Sequence, residues 1–288
     1  MINQRNIAIV CNPKSGKGRP LQLLPLFEKF IIQHQYNFQS FTGNLPKNLN
    51  NFTDLIIMGG DGTINYTLNY FKQINIPVGI ISCGTGNDIA SLLLGKTSTQ
   101  QQFETALFGD LQQIDAGICN QKLFINGVGI GFDGWVVKRL LAKNLLRGKA
   151  AYYSTVISLL LFYNETKVNI IIDGEQIETN LFMLSAANGK TYGGGFKVAP
   201  LAEVNDGLLE LIIIDKLPIL KRLKYLPVIE NGKHLNQPLS FLKYKTAKKL
   251  ILQSTQVLKA HLDGEYMEAK LFEIEILPQF LSIRTSQL

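Results

Sequence analysis

Short continuous apolar runs alternate with segments of helical spacing over the first part of the chain. Ile7-Ala8-Ile9-Val10-Cys11, Leu55-Ile56-Ile57-Met58 and Val78-Gly79-Ile80-Ile81 are bounded by turn formers and read as buried strands. Between them, Leu23, Leu24, Phe27, Phe30 and Ile31 recur at helical spacing within residues 21–35, while residues 64–71 and 89–94 read as further helices. Residues 36–42 read as another strand, with Phe38 and Phe41 separated by polar residues. Strand and helix in alternation predict a parallel, doubly wound sheet.

The pattern changes from Lys122 onward. Residues 124–131, 168–172, 181–187, 208–214, 249–253, 257–262 and 271–277 are strand-like, and pairs such as Asp173-Gly174 and Asp263-Gly264 supply turns between them. This succession predicts an antiparallel β-sandwich or barrel, interrupted by one helical insertion over about residues 135–164. The fold class expected is therefore α/β plus β in two domains, for which 288 residues are long enough.

Composition narrows the setting. The 29 basic against 22 acidic residues give a net charge of +7, which favours acidic partners such as nucleotides or anionic membrane. No zinc-finger spacing, RNA-binding aromatic motif or basic coiled coil points to nucleic acid, so no nucleic-acid partner is expected. Cys11, Cys83 and Cys119 form no C-x-x-C pair and lie beside apolar runs, as buried free thiols in a reducing cytoplasm would. No secretory signal is apparent, and the most apolar run, residues 152–163, is too short to span a bilayer.

Three polar, glycine-containing loops follow the three strands: Asn12-Pro13-Lys14-Ser15-Gly16, Gly59-Gly60-Asp61-Gly62-Thr63-Ile64-Asn65 and Ser82-Cys83-Gly84-Thr85-Gly86-Asn87-Asp88. In an open parallel sheet the carboxyl ends of the strands line up on one edge, where ligands bind. Loop amides continued into a helix from Thr63 favour phosphate, and Asp61 is placed to hold Mg²⁺ directly or through water. The competing reading is that these glycines only let strand and helix pack closely. A Walker A loop is absent, because Gly18 follows Gly16-Lys17 and Cys11 stands five residues before Gly16.

At these residues the sequence resembles the diacylglycerol kinase catalytic-domain family of lipid kinases, which is also related to sphingosine and ceramide kinases. The resemblance rests on Asn12-Pro13-x-Ser15-Gly16, Gly59-Gly60-Asp61-Gly62-Thr63 and Gly84-Thr85-x-Asn87-Asp88, and is extended by Asp206-Gly207-Leu208-Leu209 and Asp263-Gly264-Glu265. The glycine-aspartate motif alone is shared with NAD kinases and phosphofructokinases. The resemblance implies a nucleotide-binding α/β domain over residues 1–119, a β-rich lipid-substrate domain over 120–278, and a tail, 279–288, that packs back on the first domain. It implies ATP and Mg²⁺, with Asn12, Ser15, Gly16, Thr42, Gly59, Gly60, Asp61, Gly62, Thr63, Asn65, Thr85 and Asn87 around the nucleotide.

Asp115 matches the family's aspartate at the domain boundary and would be a second metal-linked carboxylate beside Asp61, although by itself it reads equally as a helix or turn cap. Glu265 matches the family's general base toward the lipid hydroxyl. Taken alone, Asp263-Gly264-Glu265 is a hairpin turn, and Asp173-Gly174-Glu175 repeats it. Glu203, Asp206 and Leu208 match positions that bind a structural Mg²⁺ largely through backbone oxygens, in a stretch that otherwise reads as a loop running into a strand. The small-residue loop from Gly189 to Gly195 would line the cleft opposite the nucleotide.

The activity so implied is ATP-dependent transfer of the γ-phosphate to a hydroxyl of diacylglycerol or a related lipid. Sphingoid-base, ceramide or phosphatidylglycerol kinases are near alternatives, and an NAD kinase or a catalytically silent nucleotide- or lipid-binding regulator more distant ones. Lys138, Arg139, Lys143, Arg147 and Lys149 lie in an acid-free stretch beside Trp135, suited either to transient contact with an anionic membrane or to a solvated helix face. A second basic region spans 216–249, with Glu230 its single acid. The setting expected is cytoplasmic and peripheral at the inner membrane face, with a homodimer permitted.

Overall fold

The computed structural model describes residues 5–95, 97–142, 149–193 and 195–285, without the side chains of 149–152. The chain divides into two compact units, one comprising the residues up to Ile114 together with those from Gln279, the other Asp115–Pro278.

The first unit is α/β. Its elements are β1 (Asn6–Cys11), α1 (Arg19–Gln33), β2 (Asn37–Thr42), β3 (Asp54–Gly59), α2 (Asp61–Phe71), β4 (Val78–Ser82), α3 (Asp88–Leu94), α4 (Thr99–Phe108) and the start of β5 (Asp110–Cys119). The strands run parallel in the order β4-β3-β1-β2, with Ile9 opposite Ile56 and Ile57 opposite Ile80. Helices α1 and α4 cover one face, where Phe27, Ile31 and Phe103 pack on Ile7, Ile9, Ile56 and Met58. Ala8, Val10 and Ile57, pointing to the opposite face, are equally buried, as a sheet covered on both sides requires.

Helix α4 is not legible in the hydrophobic pattern, because polar residues dominate Thr99-Gln100-Gln101-Gln102 at its start. It begins at a capping box formed by Ser98 and Gln101, and Gln102 accepts the amide proton of Ser82 at 2.8 Å. The chain also returns to this unit: Ile283 pairs with Val78, and Arg284 joins Arg5 on the buried carboxylate of Asp54, at 2.7 and 2.6 Å. Burial works to raise the Asp54 pKa, but the hydrogen bonds from Arg5 and Arg284 outweigh it and the net shift is downward.

The second unit holds the rest of β5, β6 (Lys122–Phe124), β7 (Gly127–Gly131), α5 (Phe132–Ala142), α6 (Lys149–Phe162), β8 (Thr166–Ile172), β9 (Glu175–Ala187), β10 (Leu209–Asp215), α7 (Ile219–Glu230), β11 (Leu242–Ala247), β12 (Lys249–Leu262) and β13 (Glu265–Thr285). It is antiparallel and β-rich. The long strands β9 and β12 are bridged at one end by β7 and at the other by β8, and β10 and β11 extend the sheet beyond β9. Ile130, Ile170, Leu184, Leu211, Leu252 and Phe272 meet in its core.

Several expectations shift here. Residues 249–253 and 257–262 form one strand, with the register slipping between Gln253 and Leu258. The single strand expected over 124–131 is broken at Ile125-Asn126, and the helical insertion is two helices. Asp115 is neither a helix cap nor a turn cap, since it lies inside β5 and is fully buried. Helix α7 and strand β11 lie in the basic region 216–249, whose charge pattern predicts neither element. Lys143, Arg147 and Gly194 lie outside the described residues, as does the side chain of Lys149. Cys11, Cys83 and Cys119 are all buried and unpaired, and burial pushes the thiols of Cys83 and Cys119 up to about 11 and about 12.

Candidate functional site

In the first unit the three glycine loops touch backbone to backbone. Gly16 has φ +49°, and a β-carbon there would fall 1.7 Å from the carbonyl oxygen of Cys83. A β-carbon on Gly60 would lie 2.8 Å from the α-carbon of Gly84, so only glycine allows the approach. Gly59 fits the packing interpretation instead, for its missing side chain makes room for Thr63, whose hydroxyl accepts from Asn12 Nδ2 at 2.8 Å. Ser15 Oγ lies beside Gly60, 3.4 Å from where its β-carbon would be.

Asp61 stands in the first turn of α2, two residues earlier than the helix expected from Thr63. Its carboxylate accepts the amides of Asp88 and Ile89, each at 3.0 Å, so it pins the start of α3 to the start of α2. Burial raises its pKa, and those amides offset the rise only in part. Each carboxylate oxygen keeps a further lone pair, which leaves capacity for a water or a cation.

Asn87 takes a left-handed conformation, donates to the Gly84 carbonyl at 3.0 Å and leaves its Oδ1 buried without a partner. Thr85 is exposed at the loop tip. Thr42 ends β2 beside Cys11, whose thiol it hydrogen-bonds. Asn65 is turned toward its own helix, where its Oδ1 accepts from Asn69 at 3.1 Å. Bare backbone at Gly60 and Gly84 and helix amides at the start of α2 are what a polyphosphate site needs, whereas the orphaned Asn87 Oδ1 is an acceptor, suited to a hydroxyl, an amino group or a cation's water.

The second unit carries the other candidate carboxylates. Asp115 Oδ2 accepts the Gly207 amide at 2.7 Å, and its own amide donates to the Val204 carbonyl at 2.7 Å, fixing the loop ahead of β10. Asp206 Oδ1 in that loop accepts from the Leu208 amide at 2.9 Å. Glu210 completes an acidic group that sequence reasoning missed. Its Oε2 is buried without a partner, and its pKa is raised by burial, against a hydrogen bond from Tyr244 that lowers it, with smaller upward contributions from the charges of Asp206 and Glu203. A cation would relieve that repulsion, and carboxylates with main-chain carbonyls suit Mg²⁺. Among the described residues no three His, Cys, Asp or Glu side chains converge as a metal cluster, so main-chain oxygens of Glu203 and Leu208 would have to contribute.

Glu265 follows a hairpin turn, with Asp263 at φ +47° and Gly264 at φ +86°. The turn is also anchored: Asp263 accepts amide protons from Ile125, Asn126 and Gly127 at 2.8 to 2.9 Å. Asn188, fully buried, donates to the carbonyls of Asp115 at 3.1 Å and Ile125 at 2.8 Å. One polar network thus runs from the Asp115 strand to the Glu265 turn. At the repeated tripeptide, by contrast, Glu175 is paired with Lys245. Asn126, Asn188 and Asp263 each precede a glycine, and these Asn-Gly and Asp-Gly pairs were the available signal.

A cavity of about 60 Å³ opens between α5, α6, α7 and strands β9 and β10. Val156, Leu160, Phe182, Met183, Phe196 and Ile214 make most of its wall apolar. Arg222 reaches it but is committed elsewhere, donating to the carbonyls of Leu160 and Tyr163 at 2.9 and 2.8 Å and to Glu165 at 2.7 Å. The other charged wall residue is Asp133, whose carboxyl is pushed up to about 6 by burial despite a 3.1 Å hydrogen bond from the Tyr192 hydroxyl. The space is amphiphilic: a greasy wall with one acceptor.

Comparison with known proteins agrees with both halves. The diacylglycerol kinase catalytic domain matches residues 6–119, and the YegS C-terminal NAD kinase beta sandwich-like domain matches 126–285. The diacylglycerol kinase of Bacillus subtilis is 29% identical over 273 residues, covering 90% of this chain and 89% of that protein. The "Probable lipid kinase YegS-like" of Chromohalobacter salexigens is 30% identical over 80% of this chain and 75% of its own length. A crystal structure of a diacylglycerol kinase from Bacillus anthracis superposes with a TM-score of 0.73 at 19% identity, over 98% of this chain and 96% of that one. An NAD kinase from Archaeoglobus fulgidus in complex with ATP shares the fold more loosely, with a TM-score of 0.55 at 15% identity over 98% and 94% of the two chains. The chain belongs to the diacylglycerol kinase-like family of lipid kinases, which are phosphotransferases.

Proposed function

We propose that the protein transfers the γ-phosphate of ATP to a hydroxyl of diacylglycerol or a closely related lipid. The observation that carries the lipid half is the apolar cavity of the second unit, in a chain whose first unit bears a phosphate-type loop cluster. An NAD acceptor would want polar and charged walls; this cavity offers Asp133 and an Arg222 already spent on its neighbours. Gly60, Thr63 and Gly84 hold phosphates through backbone and hydroxyl groups, and Asn12 and Ser15 support them. Mg²⁺, when bound, supplies charge neutralisation of the phosphates. Asp61 fixes the loops that hold those phosphates, while Asp115 fixes the loop ahead of β10, where Glu203, Asp206 and Leu208 with Glu210 would hold a separate structural cation. Glu265 accepts the proton from the lipid hydroxyl as the new P–O bond forms.

Delivery of such a lipid needs contact with a membrane. Helix α6 is apolar on both sides: Val156, Leu159 and Leu160 face inward while Ile157, Leu161 and Phe162 are exposed. Leu220 on α7 is 81% exposed beside Lys221 and Lys224, which supports docking on an anionic surface. No described helix is long and apolar enough to cross a membrane.

Filling the cavity tests the assignment. Val156→Phe raises the lipid KM by about tenfold or more, the scale of a hydrophobic-pocket misfit, and leaves the affinity for fluorescent ATP analogues unchanged. Unchanged lipid KM in a folded variant places the lipid elsewhere.

A further inference from the structure

His261 is buried to 4% exposure at the end of β12, between the cavity and the turn that carries Glu265. Its Nδ1 accepts the amide proton of Gly264 at 3.3 Å, which places the imidazole proton on Nε2. Nε2 points at Gly129, where a β-carbon would come within 2.4 Å of it and within 2.9 Å of Asp133 Oδ2. The Tyr192 ring packs edge-on against the imidazole, with centroids 5.3 Å apart, while its hydroxyl holds Asp133. The cavity's carboxyl, a tyrosine and an imidazole are gathered over one glycine, and the far side of the imidazole grips the residue before Glu265.

We infer that His261 is a positioning residue, coupling the lipid cavity at Asp133 to the turn that aims Glu265. The inference rests on Glu265 serving as the base. Asp263 fixes where the turn sits, through three amides of the neighbouring loop, and His261 fixes how its outer corner is tilted. The ring stays neutral, because burial holds its pKa down to about 4, so Nδ1 is an acceptor across the physiological range. Occupation of the cavity at Asp133 would then be registered at Glu265 through a rigid imidazole rather than a mobile loop, with the reacting hydroxyl left to Glu265.

The test compares His261→Asn, His261→Gln and His261→Ala in the full-length protein, with Glu265→Gln as reference. Asparagine puts an oxygen near the Nδ1 position and keeps an acceptor for Gly264; glutamine puts its polar end near Nε2 and does not. His261→Ala is expected to lower kcat about 10- to 100-fold, the cost of a misplaced reacting group, with ATP KM unchanged. Asparagine restores kcat to within about fivefold of wild type and glutamine does not. Wild-type kcat in the alanine variant, or equal loss with asparagine and glutamine, overturns the inference. If alanine does not fold, the contrast between asparagine and glutamine still decides. Full turnover in Glu265→Gln would instead remove the base assignment beneath it. Imidazole ¹⁵N spectra add a readout independent of turnover, simplified by there being only 3 histidines: an Nε2–H tautomer at His261 is expected, and an Nδ1–H tautomer contradicts the contact.

Discussion

Glu265→Gln lowers turnover by roughly 10²- to 10⁴-fold, the usual share of a general base. The substitution keeps size and shape and removes only the ability to take a proton. Glu265 is exposed at the start of β13, and the turn before it is held by Asp263 and His261 rather than by the glutamate itself. Thermal stability and ATP affinity therefore stay at wild-type levels, and the loss falls on kcat. Near-normal turnover in the folded variant would take Glu265 out of the reaction.

Asp61→Ala abolishes turnover for a different reason. The carboxylate gathers two amides at the start of α3, so its removal frees the loop Ser82–Asn87 and the backbone of Gly84 that faces Gly60. Losing such a cap costs about 1 kcal/mol, small enough that the protein stays folded while the phosphate cradle loosens. Titration with Mg²⁺ and ATP is expected to show weakened binding together with the loss of activity. Unchanged affinity and activity would move the nucleotide away from these loops.

How much of this is legible in sequence depends on the kind of signal. The parallel strands announce themselves because strands buried on both faces are continuously apolar, as Leu55-Ile56-Ile57-Met58 is. Helix α4 escapes because its burial is partly polar, with Gln102 and Thr105 inside. Helix α7 escapes because its charged residues mask a buried side on which Arg222, ordinarily a surface residue, is the inward anchor. The glycine loops are readable as loops, but the sequence does not say that Gly60 meets Gly84 or that Asp61 spends both oxygens on α3; those are contacts across 24 and 27 positions, set by the sheet. Asp115 shows the same limit: one acid in Gln113-Ile114-Asp115-Ala116-Gly117 reads as a cap, and only its place inside β5 makes it a buried tether.

The decisive measurement is transfer of label from γ-³²P-ATP, with Mg²⁺, to diacylglycerol, phosphatidylglycerol and sphingoid bases presented in mixed micelles, with NAD⁺ in parallel. Labelled lipid that appears with diacylglycerol or a near relative, and disappears with Glu265→Gln, is the predicted result. Label entering NAD⁺ alone, or no lipid accepting it under conditions where ATP binds, would contradict it.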